Sequence, residues 1–209
     1  MIGVYNYTVI VTYIGVTLAV ISMVCSCNGY HEVAILFLTL AGICDTFDGR
    51  IARTKKNRTD EQVIFGVQID SLCDLVCFGV TPAILAYNLG VQHIWGIAVE
   101  VVFILCGVIR LAYFNVLEEI KKKDPERAAQ KGYRGMPITT IVVIFPSVYL
   151  IHPYVEADVF AIILAVFLVI TAFLYVLDIR IKKPGPLGIS LMITYVVLIM
   201  FRVMNIVTF

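Results

Sequence analysis

Charge is scarce in this sequence, and neither sign dominates. Only 15% of the 209 residues are charged, with 16 basic against 15 acidic, for a formal net charge of +1. A nucleic-acid-binding domain needs a basic excess to displace counterions from phosphates, so that class is not indicated. Metal-type cysteine pairs are missing as well. The six cysteines, Cys25, Cys27, Cys44, Cys73, Cys77 and Cys106, form no CxxC. They read as small apolar residues of helices, with Cys25 and Cys27, which flank Ser26 at a segment end, set apart by position. There is no internal repeat and no low-complexity tract. The first residues lack a basic region and a small-residue cleavage site, so no cleavable leader is expected.

What the sequence has in excess is apolar surface. Hydrophobic residues make up 60% of the chain, and the mean hydropathy is +0.94. Soluble domains run at about 45–50% by a similar count. The excess is gathered into seven runs, 7–24, 33–53, 64–88, 93–117, 137–152, 158–178 and 187–208. Most have the length of a membrane span. Within hydrocarbon only a helix pairs every backbone group inside its own segment. The expected fold is therefore an all-α polytopic membrane protein, about seven transmembrane helices in one bundle. Residues 1–209 are expected to form a single domain, because the charged connector Lys121–Lys131 is too short for a core of its own.

The basic residues order the spans. Arg50, Arg53, Lys55, Lys56 and Arg58 follow or end the second run. Arg110, Lys121, Lys122, Lys123, Arg127, Lys131 and Arg134 follow or end the fourth, and Arg180, Lys182 and Lys183 follow the sixth. If seven spans alternate, all of these lie on one side, and only Arg202 stands apart. By the positive-inside rule that side is cytoplasmic, with the N-terminus inside and the C-terminus outside.

The acidic residues carry the chemistry. The second run ends Cys44-Asp45-Thr46-Phe47-Asp48-Gly49-Arg50-Ile51-Ala52-Arg53, and the third begins Phe65-Gly66-Val67-Gln68-Ile69-Asp70-Ser71-Leu72-Cys73-Asp74. Ionisable groups at a membrane boundary within apolar sequence are costly and usually functional. Asp45 and Asp48 are three residues apart, and Asp70 and Asp74 are four apart, so each pair shares one helix face. Two antiparallel helices joined by a short loop place the pairs at similar depth, facing each other. Four facing carboxylates repel unless a hard divalent cation, Mg²⁺, Mn²⁺ or Ca²⁺, sits between them. Two such ions can polarise a pyrophosphate and stabilise its leaving group. Gly49, Ala52 and Gly66 are small enough to let a phosphate or nucleotide approach the helix backbone. Arg53 offers a planar fork of donors to a phosphate oxygen.

These residues resemble the signature of the CDP-alcohol phosphotransferase family, DxxDGxxARx₈GxxxDxxxD. Here it reads Asp45-x₂-Asp48-Gly49-x₂-Ala52-Arg53-x₁₂-Gly66-x₃-Asp70-x₃-Asp74, with every fixed position matched and a spacer of 12 residues where 8 is usual. The added residues fall in the polar stretch Thr54–Gln62 and leave both carboxylate pairs in place. The resemblance implies a helical bundle with a cytoplasm-facing polar cavity, commonly a homodimer, that cleaves a CDP-linked donor and releases CMP with Mg²⁺ or Mn²⁺, two ions per site. By position it implies Asp45, Asp48, Asp70 and Asp74 as metal ligands and Asp74 as the general base. It also implies that Asp48, Gly49, Ala52, Arg53 and Gly66 bind the CDP moiety.

Three further stretches bear on the acceptor. Asp70-Ser71-Leu72-Cys73-Asp74 runs on to Phe78-Gly79-Val80-Thr81-Pro82-Ala83, the fourth run ends Arg110-Leu111-Ala112-Tyr113-Phe114-Asn115, and Tyr133-Arg134-Gly135-Met136-Pro137 enters the fifth. These are similar to the DSLxDxxxFGVxPA, RLARFN and FxGLP stretches of the membrane-embedded phosphatidylserine synthases within that family. Tyr113, Tyr133 and Met136 depart from the pattern. The similarity implies CDP-diacylglycerol as donor, L-serine as acceptor, and a place in phospholipid synthesis at the cell membrane. Arg110 and Arg134 are candidates for the serine carboxylate, and Asn115 for a further contact. Glycerol 3-phosphate or inositol (phosphate) is the alternative acceptor, given the basic connector. An ion-coupled transporter is a remote alternative, because the carboxylates cluster at one boundary and no repeat accompanies them. A non-catalytic lipid-binding protein is another.

Overall fold

The computed structural model describes residues 7–52, 54–55, 59–123, 133–181 and 186–206. Helix α1 spans Tyr7–Cys27 and α2 spans His31–Ala52. The turn between them closes on Gly29, whose φ of +82° is open to glycine at little cost, and Tyr30 N–H returns to the Cys25 carbonyl at 2.9 Å. The two helices pack as a hairpin through Ala19, Ala34, Ile35 and Leu38, all fully buried. The Ser22 hydroxyl donates across it to the Ala34 carbonyl at 2.6 Å.

Helix α3 (Asp60–Asp74) starts earlier than the apolar pattern predicts. Thr59 caps it by accepting from Gln62 N–H, and Asp60 and Glu61 sit in its first turn, where the helix dipole favours acids. Half of the long spacer, residues 60–65, is thus helix. Directly after Asp74 the helix widens into a π turn, Leu75–Val80, before continuing as α4 (Thr81–Asn88). Pro82 explains the widening. It lacks an N–H for the Phe78 carbonyl and would crowd that group in an α turn. The wider turn instead sends Thr81 N–H and hydroxyl to the Val76 carbonyl. Such insertions often mark functional sites.

Helix α5 (Ile94–Lys123) packs against α7 (Ala157–Val176). Between them the fifth run forms an irregular helix. It is a 3₁₀ turn at Ile138–Thr140, a short α6 at Ile141–Tyr149 containing Pro146, and a second 3₁₀ turn at His152–Tyr154. Helix α8 (Pro186–Ile206) completes the bundle. Packing of α6 on α2 is tight at Gly42, where an added Cβ would lie 2.7 Å from Val142. A two-residue antiparallel ladder, β1 (Tyr133–Arg134) with β2 (Arg180–Ile181), joins the connectors before α6 and after α7. The sequence pattern did not predict it, but it places those two basic connectors at the same end of the bundle.

Four helical stretches among the described residues are long and apolar enough to cross a membrane: Val9–Cys27, Asp60–Asn88, Ile94–Ile120 and Ala157–Val176. Ile138–Tyr154 and Thr194–Met204 are shorter apolar helices. Large apolar side chains face outward along α5, α7 and α8, among them Leu105, Ile109, Phe173, Leu198 and Phe201. A soluble protein rarely exposes so continuous an apolar surface. The chain is an integral membrane protein with a helical bundle fold.

Candidate active site

Both acidic pairs lie in regular helix, so their spacing translates directly into position. Asp45 and Asp48 occupy the last turns of α2, and Asp70 and Asp74 the last turns of α3. The antiparallel register brings Asp45 against Asp74 and Asp48 against Asp70. One oxygen each from Asp45, Asp70 and Asp74 lies within 4.8 Å of the others. Oxygens around a single Mg²⁺ or Ca²⁺ are separated by up to about 4–5 Å, since each bond is about 2.0–2.6 Å. These three carboxylates therefore fit a hard cation. Asp48 stands outside that triad, is 7% exposed, and accepts a hydrogen bond of 3.1 Å from the Thr12 hydroxyl.

A narrow cleft, open to solvent on one side, lies beside the carboxylates. Val11, Thr12 and Gly15 of α1 form one wall and Ala41, Asp45 and Asp48 of α2 another. Cys73 and Asp74, with Cys77 and Phe78 of the π turn, form the third. Among the described residues, nothing lies within 4 Å of where a Cβ on Gly49 would sit. All six cysteines are free thiols. Cys73 and Cys77 are buried in the cleft wall, as small apolar residues would be.

The remaining predicted residues separate into groups. Gly66 lies in α3, one turn before Asp70. Arg53 lies outside the described residues, as do the side chains of Ala52 and Arg134. Asn115 is drawn to the acidic helix: its Oδ1 accepts from Ser71 at 2.8 Å, and its Nδ2 donates to Gln68 at 3.4 Å. It thereby ties α5 to α3 beside Asp70. Arg110 is 6% exposed and donates from Nε to the Met136 carbonyl at 2.9 Å and from Nη2 to Gly135 at 3.5 Å. Its visible work is to hold the connector into α6. Gly135 has φ +82°, and a Cβ there would meet Arg110 and the Tyr175 carbonyl at 3.4 Å, so glycine is required.

Sequence reasoning missed Thr12. A hydroxyl in an apolar helix is an ordinary feature, and nothing in the local pattern of α1 points across to α2.

The family model described as CDP-alcohol phosphatidyltransferase matches residues 5–209. The CDP-diacylglycerol–serine O-phosphatidyltransferase of Saccharomyces cerevisiae is 38% identical over 118 residues, covering 56% of this chain and 41% of that protein. The archaetidylserine synthase of Methanothermobacter thermautotrophicus is 36% identical over 147 residues, covering 70% and 58%. The CDP-diacylglycerol–serine O-phosphatidyltransferase of Bacillus subtilis is 34% identical over 113 residues, covering 52% and 56%. The matches span less than two thirds of the length of each of these relatives. The family match reaches from the start of α1 to the last residue, and on that extent the chain belongs to the CDP-alcohol phosphatidyltransferase family.

Proposed function

We propose that the chain transfers a phosphatidyl group from CDP-diacylglycerol to the hydroxyl of L-serine, giving phosphatidylserine and CMP. The observation that carries this reading is the facing of Asp45 with Asp74 and Asp48 with Asp70 at one end of the bundle. The names of the relatives direct the acceptor toward serine.

In this reading Asp45, Asp70 and Asp74 hold one divalent cation, Mg²⁺ or Mn²⁺, and Asp48 helps hold a second. Bound there, the metal supplies positive charge to the oxygens of the pyrophosphate. Arg53, with the small residues Gly49, Ala52 and Gly66, receives the CDP moiety. Asp74 takes the proton of the serine hydroxyl as that oxygen bonds to the lipid-bearing phosphorus. The bond from that phosphorus to the CMP oxygen breaks, and CMP leaves with the electron pair. Arg134 or Arg110 receives the serine carboxylate, and Asn115 orients the acceptor. Seven membrane crossings place the acidic end and the basic connectors at the cytoplasmic face of the cell membrane. The acyl chains then remain in the bilayer while nucleotide and serine come from water. A homodimer is the proposed assembly.

The test is the purified full chain in lipid nanodiscs with Mn²⁺ and CDP-diacylglycerol, offered serine, glycerol 3-phosphate, inositol or inositol phosphate in turn. CMP release with serine alone is expected. Release with glycerol 3-phosphate but not with serine would reject the acceptor. A parallel arm with a CDP-activated archaeal ether lipid defines the donor.

A further inference from the structure

We propose that Thr12 of α1 is a positioning residue for the metal-binding carboxylates, holding Asp48 at the cleft wall. This rests on the metal-dependent reading above. Thr17, Thr39, Thr46, Thr171 and Ser147 each donate to the carbonyl four residues earlier in their own helix. That is the default for a hydroxyl with no better acceptor in an apolar helix. Thr12 departs from it. Its Oγ1 crosses from α1 to Oδ2 of Asp48 at 3.1 Å, although the two residues are 36 apart in sequence.

Both partners are almost fully enclosed, Thr12 at 9% and Asp48 at 7% exposed. A carboxylate in such a place needs donors, and Asp48 faces the acidic Asp70. Thr12 offers one from a different helix, so its bond also sets the separation of α1 from α2. Among the described residues lining the cleft, Thr12 carries the sole hydroxyl. A ligand carboxylate steadied in this way is held in one orientation before the cation arrives. Partners behind the ligands typically change metal affinity by roughly 10–100-fold.

The experiment uses the full chain in detergent micelles without substrate, titrated with Mn²⁺ and followed by the electron paramagnetic resonance signal of the free ion. Thr12→Val and Thr12→Ala are expected to weaken Mn²⁺ binding by about 10-fold. Thr12→Ser, which keeps the hydroxyl, is expected to bind like the unaltered protein. In turnover assays the loss shows as a higher Mn²⁺ requirement, with kcat largely recovered at saturating metal. Unchanged Mn²⁺ affinity in both the Val and Ala variants would overturn the proposal, as would a Ser variant no better than Ala. If Thr12→Val is not monodisperse, the Ala and Ser pair decides. An unaltered protein that binds no Mn²⁺ overturns the metal reading and this inference together. Binding by the unaltered protein, matched by all variants, overturns only the role of Thr12.

Discussion

At the start of α2, Glu32 accepts a hydrogen bond of 2.6 Å from the hydroxyl of Tyr149, whose ring is 1% exposed. His152 stacks on that ring at 5.1 Å and meets Phe160 edge-on at 4.8 Å. About 20 Å further along the same helix, by its rise per residue, Asp45 and Asp48 face two more carboxylates. One end of the helix satisfies its acid with a neutral donor and packs aromatic rings around it. The other gathers acids against acids and leaves a cleft beside them. The first arrangement is complete in the protein alone. The second leaves like charges facing one another, the arrangement that the proposed divalent cation would relieve.

That contrast can be broken most sharply by removing one functional group from each end. Asp74→Asn should lower CMP release by about 10²–10⁴-fold, the range for loss of a general base, while the helical circular dichroism signal is retained. Turnover within a few-fold of normal would remove Asp74 from its role. The next effect is in stability. Saturating Mn²⁺ at about 100 times its dissociation constant should stabilise the fold by about 2.7 kcal/mol, read as a rise in the thermal midpoint in detergent. Chelation should reverse the rise, and Asp45→Asn or Asp70→Asn should largely abolish it. At the other end, Tyr149→Phe should cost about 1–3 kcal/mol of stability, because Glu32 loses its donor, and should leave turnover per folded molecule and the Mn²⁺ response unchanged. The smallest effect is expected for Ser71→Ala. It removes the bond to Asn115 and should cost about 0.5–1.5 kcal/mol in a denaturation series.

The helical architecture was legible because hydrophobic runs and charged connectors alternate along the chain. Helix limits fell within a few residues of the apolar runs, except where polar chemistry extended them. Thr59 carried α3 back to Asp60, and α5 ran on to Lys123 through residues with no apolar signal. The fifth run read as one helix because it is apolar throughout, and it is helical with 3₁₀ turns at its two ends, which periodicity alone does not separate from α-helix. The two-residue ladder left no period to detect, since a single turn of pairing is shorter than any alternation. The same division holds in the site. Asp45, Asp48, Asp70 and Asp74 were readable from spacing alone. Arg110 was readable as a candidate for the serine carboxylate, but its engagement with the Gly135 and Met136 carbonyls depends on a connector 25 residues away.

The sequence by itself determined that this chain enters a membrane as helices and carries two acidic pairs, each confined to one helix face. Both properties follow from local periodicity, which is written into the order of residues. Only the tertiary structure decided that Asp45 meets Asp74 and Asp48 meets Asp70, that a third helix walls the cleft, and that Thr12 reaches across to Asp48. Those facts depend on how far one helix slides and rotates against another. That is set by packing between residues distant in sequence, such as Gly15 against Ala41 and Cys44, and no local pattern encodes it.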